Sequence, residues 1–148
     1  MAVIGDYAYL SETYLGNGSG GLRILNVSNP TTPMEIGYYP STAAIAGAEG
    51  VTVIGDYAYV VENYAYNVDG YSTLRVLDIS NPSSPTSVGF YNFPGDAYRI
   101  VATGAYTYVG GGGFSEAKSG GGLRVFNISS ETSSQTDEIG FGKAKGPG

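Results

Sequence analysis

The chain has 148 residues, among them 24 glycines, 7 prolines and 14 tyrosines, with no cysteine, histidine or tryptophan. It can therefore hold no disulfide, thiol nucleophile or cysteine-ligated zinc, and no histidine metal site or serine–histidine triad. Thirteen acidic residues against seven basic ones give a net charge of −6, which repels phosphate backbones and offers no basic helix to an anionic membrane.

The chain opens with Val3-Ile4-Gly5-Asp6-Tyr7-Ala8-Tyr9, and the same seven residues return at 53–59. A looser copy is Gly104-Ala105-Tyr106-Thr107-Tyr108. A second block, Leu22-Arg23-Ile24-Leu25-Asn26-Val27-Ser28-Asn29-Pro30, is echoed at 74–82 and, without its Asn-Pro, at 123–129. A third block, Ile36-Gly37-Tyr38-Tyr39, recurs as Val88-Gly89-Phe90-Tyr91 and Ile139-Gly140-Phe141. The period of about 50 residues belongs to repeat architectures, in which each unit buries its apolar face against the next.

Each copy reads as four short strands, clearest in the central one. Residues 50–54 form the first strand and end at Gly55-Asp56, a two-residue hairpin signal. Residues 57–61 form the second. Residues 74–79, Leu-Arg-Val-Leu-Asp-Ile, are rich in branched apolar side chains with no helical period, and form the third. Residues 80–85, Ser-Asn-Pro-Ser-Ser-Pro, make a turn, and residues 87–91 the fourth strand. Asp78 stands just before that turn, with Asn26 and Asn127 in the same slot of the other copies, placed to cap it. Glycine and proline interrupt the chain too often for helices. The expected fold is all-β: one domain of three four-stranded antiparallel blades of β-propeller type, at 1–47, 48–96 and 97–148.

These blocks resemble the LVIVD repeat. The matching residues are 22–26, 74–78 and 123–127, the first two leading into Ser-Asn-Pro, together with the Gly-Asp-Tyr-Ala-Tyr segments. The resemblance implies a propeller-forming repeat and an extracellular or cell-surface location, and it implies no catalytic residues. The third copy departs from the pattern. Ser130-Glu131 replaces Asn-Pro, and 129–140 is two residues longer than 28–37 or 80–89. Met1 aligns with Val51, so the first copy begins within a strand. No charged n-region or apolar h-region opens the chain, so no signal peptide is expected in it. The long uncharged stretches 79–95 and 100–115 are broken by Gly, Pro, Ser and Asn, so no membrane insertion is expected.

Propellers close with four to eight blades, so three leave two blade faces open for association. The three blades are expected either to be completed by a second copy of the chain, in a closed ring or in a filament, or to belong to a longer propeller. The loops at 11–21, 62–73 and 110–122 differ between copies and carry Tyr14, Tyr64, Tyr66, Tyr71 and Phe114, which suits sugar stacking or contact with surface proteins. Ordinary variable loops carry such residues too. Asn17, Asn26 and Asn127 head glycosylation sequons; Asn17 lies in a glycine-rich loop, while the other two hold the turn-capping slot. Arg23, Arg75 and Arg124 recur once per copy. Between blades they would pair with a carboxylate or with backbone carbonyls; the other role open to them is to line a channel. Asn67-x-Asp69-Gly70 lacks most positions of a calcium loop, and 110–113 lacks the Lys-Ser/Thr of a phosphate cradle. Asp137-Glu138 reads as exposed loop charge. No enzyme activity, cofactor or metal is expected. The function expected is that of an extracellular structural or interaction scaffold that self-assembles. The alternative is a carbohydrate- or protein-binding module of a larger surface protein.

Overall fold

The computed structural model describes residues 1–13, 20–41, 46–64, 71–112, 122–129 and 137–143. Three four-stranded antiparallel sheets follow one another along the chain, and no helix occurs among the described residues. The first sheet holds β1 (Ala2–Ile4), β2 (Tyr7–Glu12), β3 (Gly21–Asn26) and β4 (Met34–Pro40). The second holds β5 (Ala46–Ile54), β6 (Tyr57–Tyr64), β7 (Tyr71–Asp78) and β8 (Thr86–Pro94). The third holds β9 (Asp96–Thr103), β10 (Tyr106–Gly112), β11 (Gly122–Asn127) and β12 (Asp137–Lys143). Strands adjacent in the chain are adjacent in the sheet, so each unit is a plain meander.

The repeated sequence produces repeated local geometry. Gly5, Gly55 and Gly104 take φ of +55°, +55° and +58°, and no residue other than glycine has positive φ among those described. A left-handed glycine first in a two-residue loop is the type II′ turn, whose twist suits a hairpin. The amides of Val27, Ile79 and Ile128 then each donate to a carbonyl of that hairpin, at Asp6, Asp56 and Ala105, all at 2.8 Å. The last strand pair of each sheet also bulges at one equivalent point, Ile24/Leu25, Val76/Leu77 and Val125/Phe126.

Two apolar cores lie between the sheets. Tyr9, Leu22 and Ile24 of the first sheet pack on Val51, Ala58, Val60 and Leu77 of the second. Tyr59, Val61, Leu74 and Phe93 on the opposite face of the second sheet pack on Ile100, Val109 and Phe126 of the third. Tyr91 meets the Phe126 ring edge-on at 5.4 Å. The central sheet is thus buried on both faces, and its Tyr-Ala-Tyr-Val-Val run (57–61) stays apolar at every position instead of alternating. Contact between sheets centres on their first strands, with β5 lying against both β2 and β9. The arrangement is a propeller-like stack of three sheets.

The strands are longer than the sequence implies. The 11–21, 62–73 and 110–122 connections shrink because β2, β6 and β10 run on to Glu12, Tyr64 and Gly112, while β3, β7 and β11 begin at Gly21, Tyr71 and Gly122. Polar residues read as loop are strand residues with buried partners: Glu62, Ser72 and Thr73 are all buried. Tyr64 and Tyr71 accordingly sit on strand ends, not in a loop. The opening strands of the second and third units start at Ala46 and Asp96, one or two residues ahead of the expected boundaries. Asp137 and Glu138 belong to β12.

Candidate functional site

The recurrent arginines hold the sheets in two different ways. Arg75 lies directly opposite Val60, and Glu62 is two residues further along β6, so the two charges meet on a diagonal. Arg75 Nε donates to Glu62 Oε2 at 2.8 Å, with only 7 % and 3 % of the two side chains exposed. Its guanidinium also lies 5.6 Å from the Phe90 ring centre. The first sheet repeats the diagonal: Arg23 donates to Glu12 at 2.6 Å and to Glu35 at 2.7 Å, and stacks on Tyr38 at 4.7 Å. These carboxylates belong to the arginine's own sheet, where the sequence suggested a partner between blades. In the third sheet Gly111 occupies the glutamate position, and Arg124 reaches across instead. Its Nη2 donates to the Pro94 carbonyl of the second sheet at 2.8 Å, and its guanidinium lies 5.3 Å from the Phe93 ring centre. The sequence signal for the two glutamates was their shared place three residues after Tyr-Ala-Tyr.

The turn slot has the same chemistry in each copy. Asn26, Asp78 and Asn127 each accept the amide of the residue two further on, Ser28, Ser80 and Ser129, at 2.9 Å. Asn29 and Asn81 repeat the device one step later, on the amides of Thr31 and Ser83. Hydrogen bonds from Ser80, first from its hydroxyl and then from its amide, hold the Asp78 carboxyl below its ordinary value of 3.8. The side-chain oxygens of Asn26 and Asn127 are therefore engaged within the fold. Asn17 lies outside the described residues.

Two positions that sequence reasoning passed over join one sheet to the next. The Asn63 amide pairs with the backbone of Ala97, donating to its carbonyl at 2.8 Å and accepting its amide at 3.0 Å. Ser72 Oγ donates to the Gly95 carbonyl beside it at 2.6 Å. This side-chain bridge anchors the start of β9 on the second sheet. Gly37 is the other position. A Cβ there would run into the Pro82 carbonyl, because the Ser-Asn-Pro turn of the second sheet lies on β4 of the first. The glycine of the third block thus leaves room for the next unit's turn.

Of the loop aromatics, Tyr71 is 49 % exposed at the loop end of β7, and Tyr64 ends β6. Tyr14, Tyr66 and Phe114, with the Asn67–Gly70 segment, lie outside the described residues. A cleft of about 180 Å³ beside the first Ser-Asn-Pro turn is lined by Asn26, Ser28, Asn29, Thr32, Met34 and Ile36. It is smaller than the ~300 Å³ at which small-molecule pockets begin. Among the described residues no three His, Cys, Asp or Glu side chains are placed to hold a metal ion, and no helix is long and apolar enough to cross a membrane.

The two outward sheet faces are candidate surfaces. Leu22 and Leu74 are 1 % and 0 % exposed, whereas Leu123, the same residue at the same repeat position, is 46 % exposed on the third sheet. Val101 and Tyr106 lie on the same face of that sheet and are also exposed. On the first sheet the outward face presents Val3, 58 % exposed, with Leu10 and Leu25 half-buried where Val60 and Leu77 of the second sheet are covered.

The family model of the LVIVD repeat matches residues 1–41, 46–63, 60–93 and 94–115, and no curated protein matches the chain. The matched segments cover the first two sheets and the opening strands of the third. With that coverage, and with one strand plan written three times, the chain belongs to the LVIVD repeat family.

Proposed function

We propose that this chain is a non-enzymatic structural and interaction protein that works outside the cell by associating with copies of itself. The exposure of Leu123 carries the reading. A leucine that two repeats bury completely is left half in water by the third, on a face that also exposes Val101 and Tyr106, and exposed apolar surface of this kind supports association. Further sheets of the same kind would cover it and extend the propeller-like stack to a closed ring or a filament. The extracellular location rests on the resemblance of the repeats. Electron microscopy of the purified chain tests the proposal: rings, tubes or fibres are expected, and isolated single-chain particles would overturn it.

A second reading, a module that binds glycans or surface proteins, draws on Tyr71, which presents an aromatic ring at the loop end. Saturable binding on a glycan array, lost in Tyr71→Ala, would favour it over self-association.

A further inference from the structure

We propose that copies join head to tail, the outward face of the first sheet of one copy seating on the outward face of the third sheet of another. This inference rests on self-association and specifies its geometry. The register assigns every strand residue to one of two faces, because residues directly opposite each other share a face. On the leading face lie Ala8, Leu10, Arg23 and Leu25 in the first sheet, Ala58, Val60, Arg75 and Leu77 in the second, and Thr107, Val109, Arg124 and Phe126 in the third. On the trailing face lie Tyr9, Leu22 and Ile24, then Tyr59, Leu74 and Val76, then Tyr108, Leu123 and Val125. Both internal contacts join a trailing face to a leading face. The stack therefore exposes one face of each type, and each is the repeat counterpart of a surface already covered inside the molecule. A leading-to-trailing contact between copies continues the internal interface. Contact between two like faces has no counterpart in the fold.

The Ser-Asn-Pro turn sharpens the geometry. Within the chain the 80–82 turn of the second sheet lies on Gly37 of the first. Gly140 is the counterpart of Gly37 in the third sheet, and among the described residues a Cβ added there meets nothing nearer than Val125 at 3.9 Å. Between copies, the Ser28-Asn29-Pro30 turn would occupy that space. Gly140→Ala should then leave the isolated chain folded while crowding the junction.

Three variants of the full chain, followed by sedimentation velocity, test the proposal. Val3→Glu charges the leading face and Leu123→Glu the trailing face, both at positions already exposed to solvent. Each variant alone is expected to stay a single chain. An equimolar mixture is expected to form a dimer through its one intact pair of faces. Gly140→Ala is expected to keep the parent's melting temperature and to associate roughly 5- to 150-fold more weakly, the range set by overpacking a close contact. If either charged variant alone still dimerises, like faces pair and the head-to-tail geometry is wrong. If the mixture stays monomeric while the parent associates, the geometry is equally wrong, though self-association stands. A Gly140→Ala variant that associates like the parent overturns the seating of the turn. A monomeric parent overturns self-association itself.

Discussion

Replacing Glu62 by Ala removes the carboxylate that Arg75 Nε holds at 2.8 Å in a site where 7 % and 3 % of the two side chains are exposed. Arg75 keeps its other contacts, the Ser87 hydroxyl at 3.4 Å from Nη1 and the Phe90 ring among them, but loses this carboxylate. Removing one partner of a buried pair leaves the other charge in a poorly solvated place, at a cost of roughly 3–5 kcal/mol. For a chain of this size each kcal/mol lowers the melting temperature by about 2–4 °C, so the loss is roughly 6–20 °C. The first sheet supplies the control. Glu12 and Arg23 make the same diagonal contact at 2.6 Å, but with 21 % and 34 % exposure, and Arg23 keeps Glu35 at 2.7 Å when Glu12 is removed. Solvent screens this pair, and Glu12→Ala should cost less than about 1 kcal/mol. Thermal melts by circular dichroism, run at concentrations where the chain is dispersed, compare the two. Equal costs would refute the reasoning, since they would mean that packing against the first sheet does not set the energetics of the second sheet's pair. Methionine at both 62 and 75 should recover most of the loss, because apolar side chains of similar volume suit that interior.

Other predictions follow from the same contacts. Gly37→Ala forces the Pro82 turn away from β4 and should destabilise the chain by about 1–3 kcal/mol in urea titrations. Thr107 is fully buried, and its hydroxyl has no hydrogen-bond partner among the described residues, while Ala8 and Ala58 fill the same slot elsewhere. Thr107→Val should therefore raise stability by about 1 kcal/mol, read from the same titration. Because the folded-state value of Asp78 lies below 3.8, its stabilisation is present above 3.8 and lost as pH falls through the folded value. In Asp78→Asn that acid-side decline disappears, so the melting temperatures of parent and variant should converge or cross only below 3.8. Asn63→Ala withdraws both hydrogen bonds to Ala97 and should cost about 1–3 kcal/mol.

Much of the fold was legible because its signals are local. Gly5, Gly55 and Gly104 mark hairpins through a backbone angle that only glycine adopts freely, and Asn26, Asp78 and Asn127 cap a turn only two residues away. What was not legible depends on register. Glu62, Asn63, Ser72 and Thr73 look like loop residues by polarity, yet they are strand residues whose partners lie on adjacent strands or on the next sheet. The pairing of Arg75 with its own sheet, and of Arg124 with the sheet before it, turns on whether position 62 or 111 carries a carboxylate. A one-residue slip would move each arginine to the other face. Gly37 carried a repeat signal, but its reason, a turn from the next unit, exists only once the sheets are stacked.

The central claim is that the uncovered faces of the first and third sheets are two halves of the contact that already binds the sheets together inside the chain. Sedimentation equilibrium of the unmodified chain over a rising micromolar series tests it most directly. A mass that climbs from 15.3 kDa to whole-number multiples is predicted. A mass fixed at that of one chain throughout the series would contradict it.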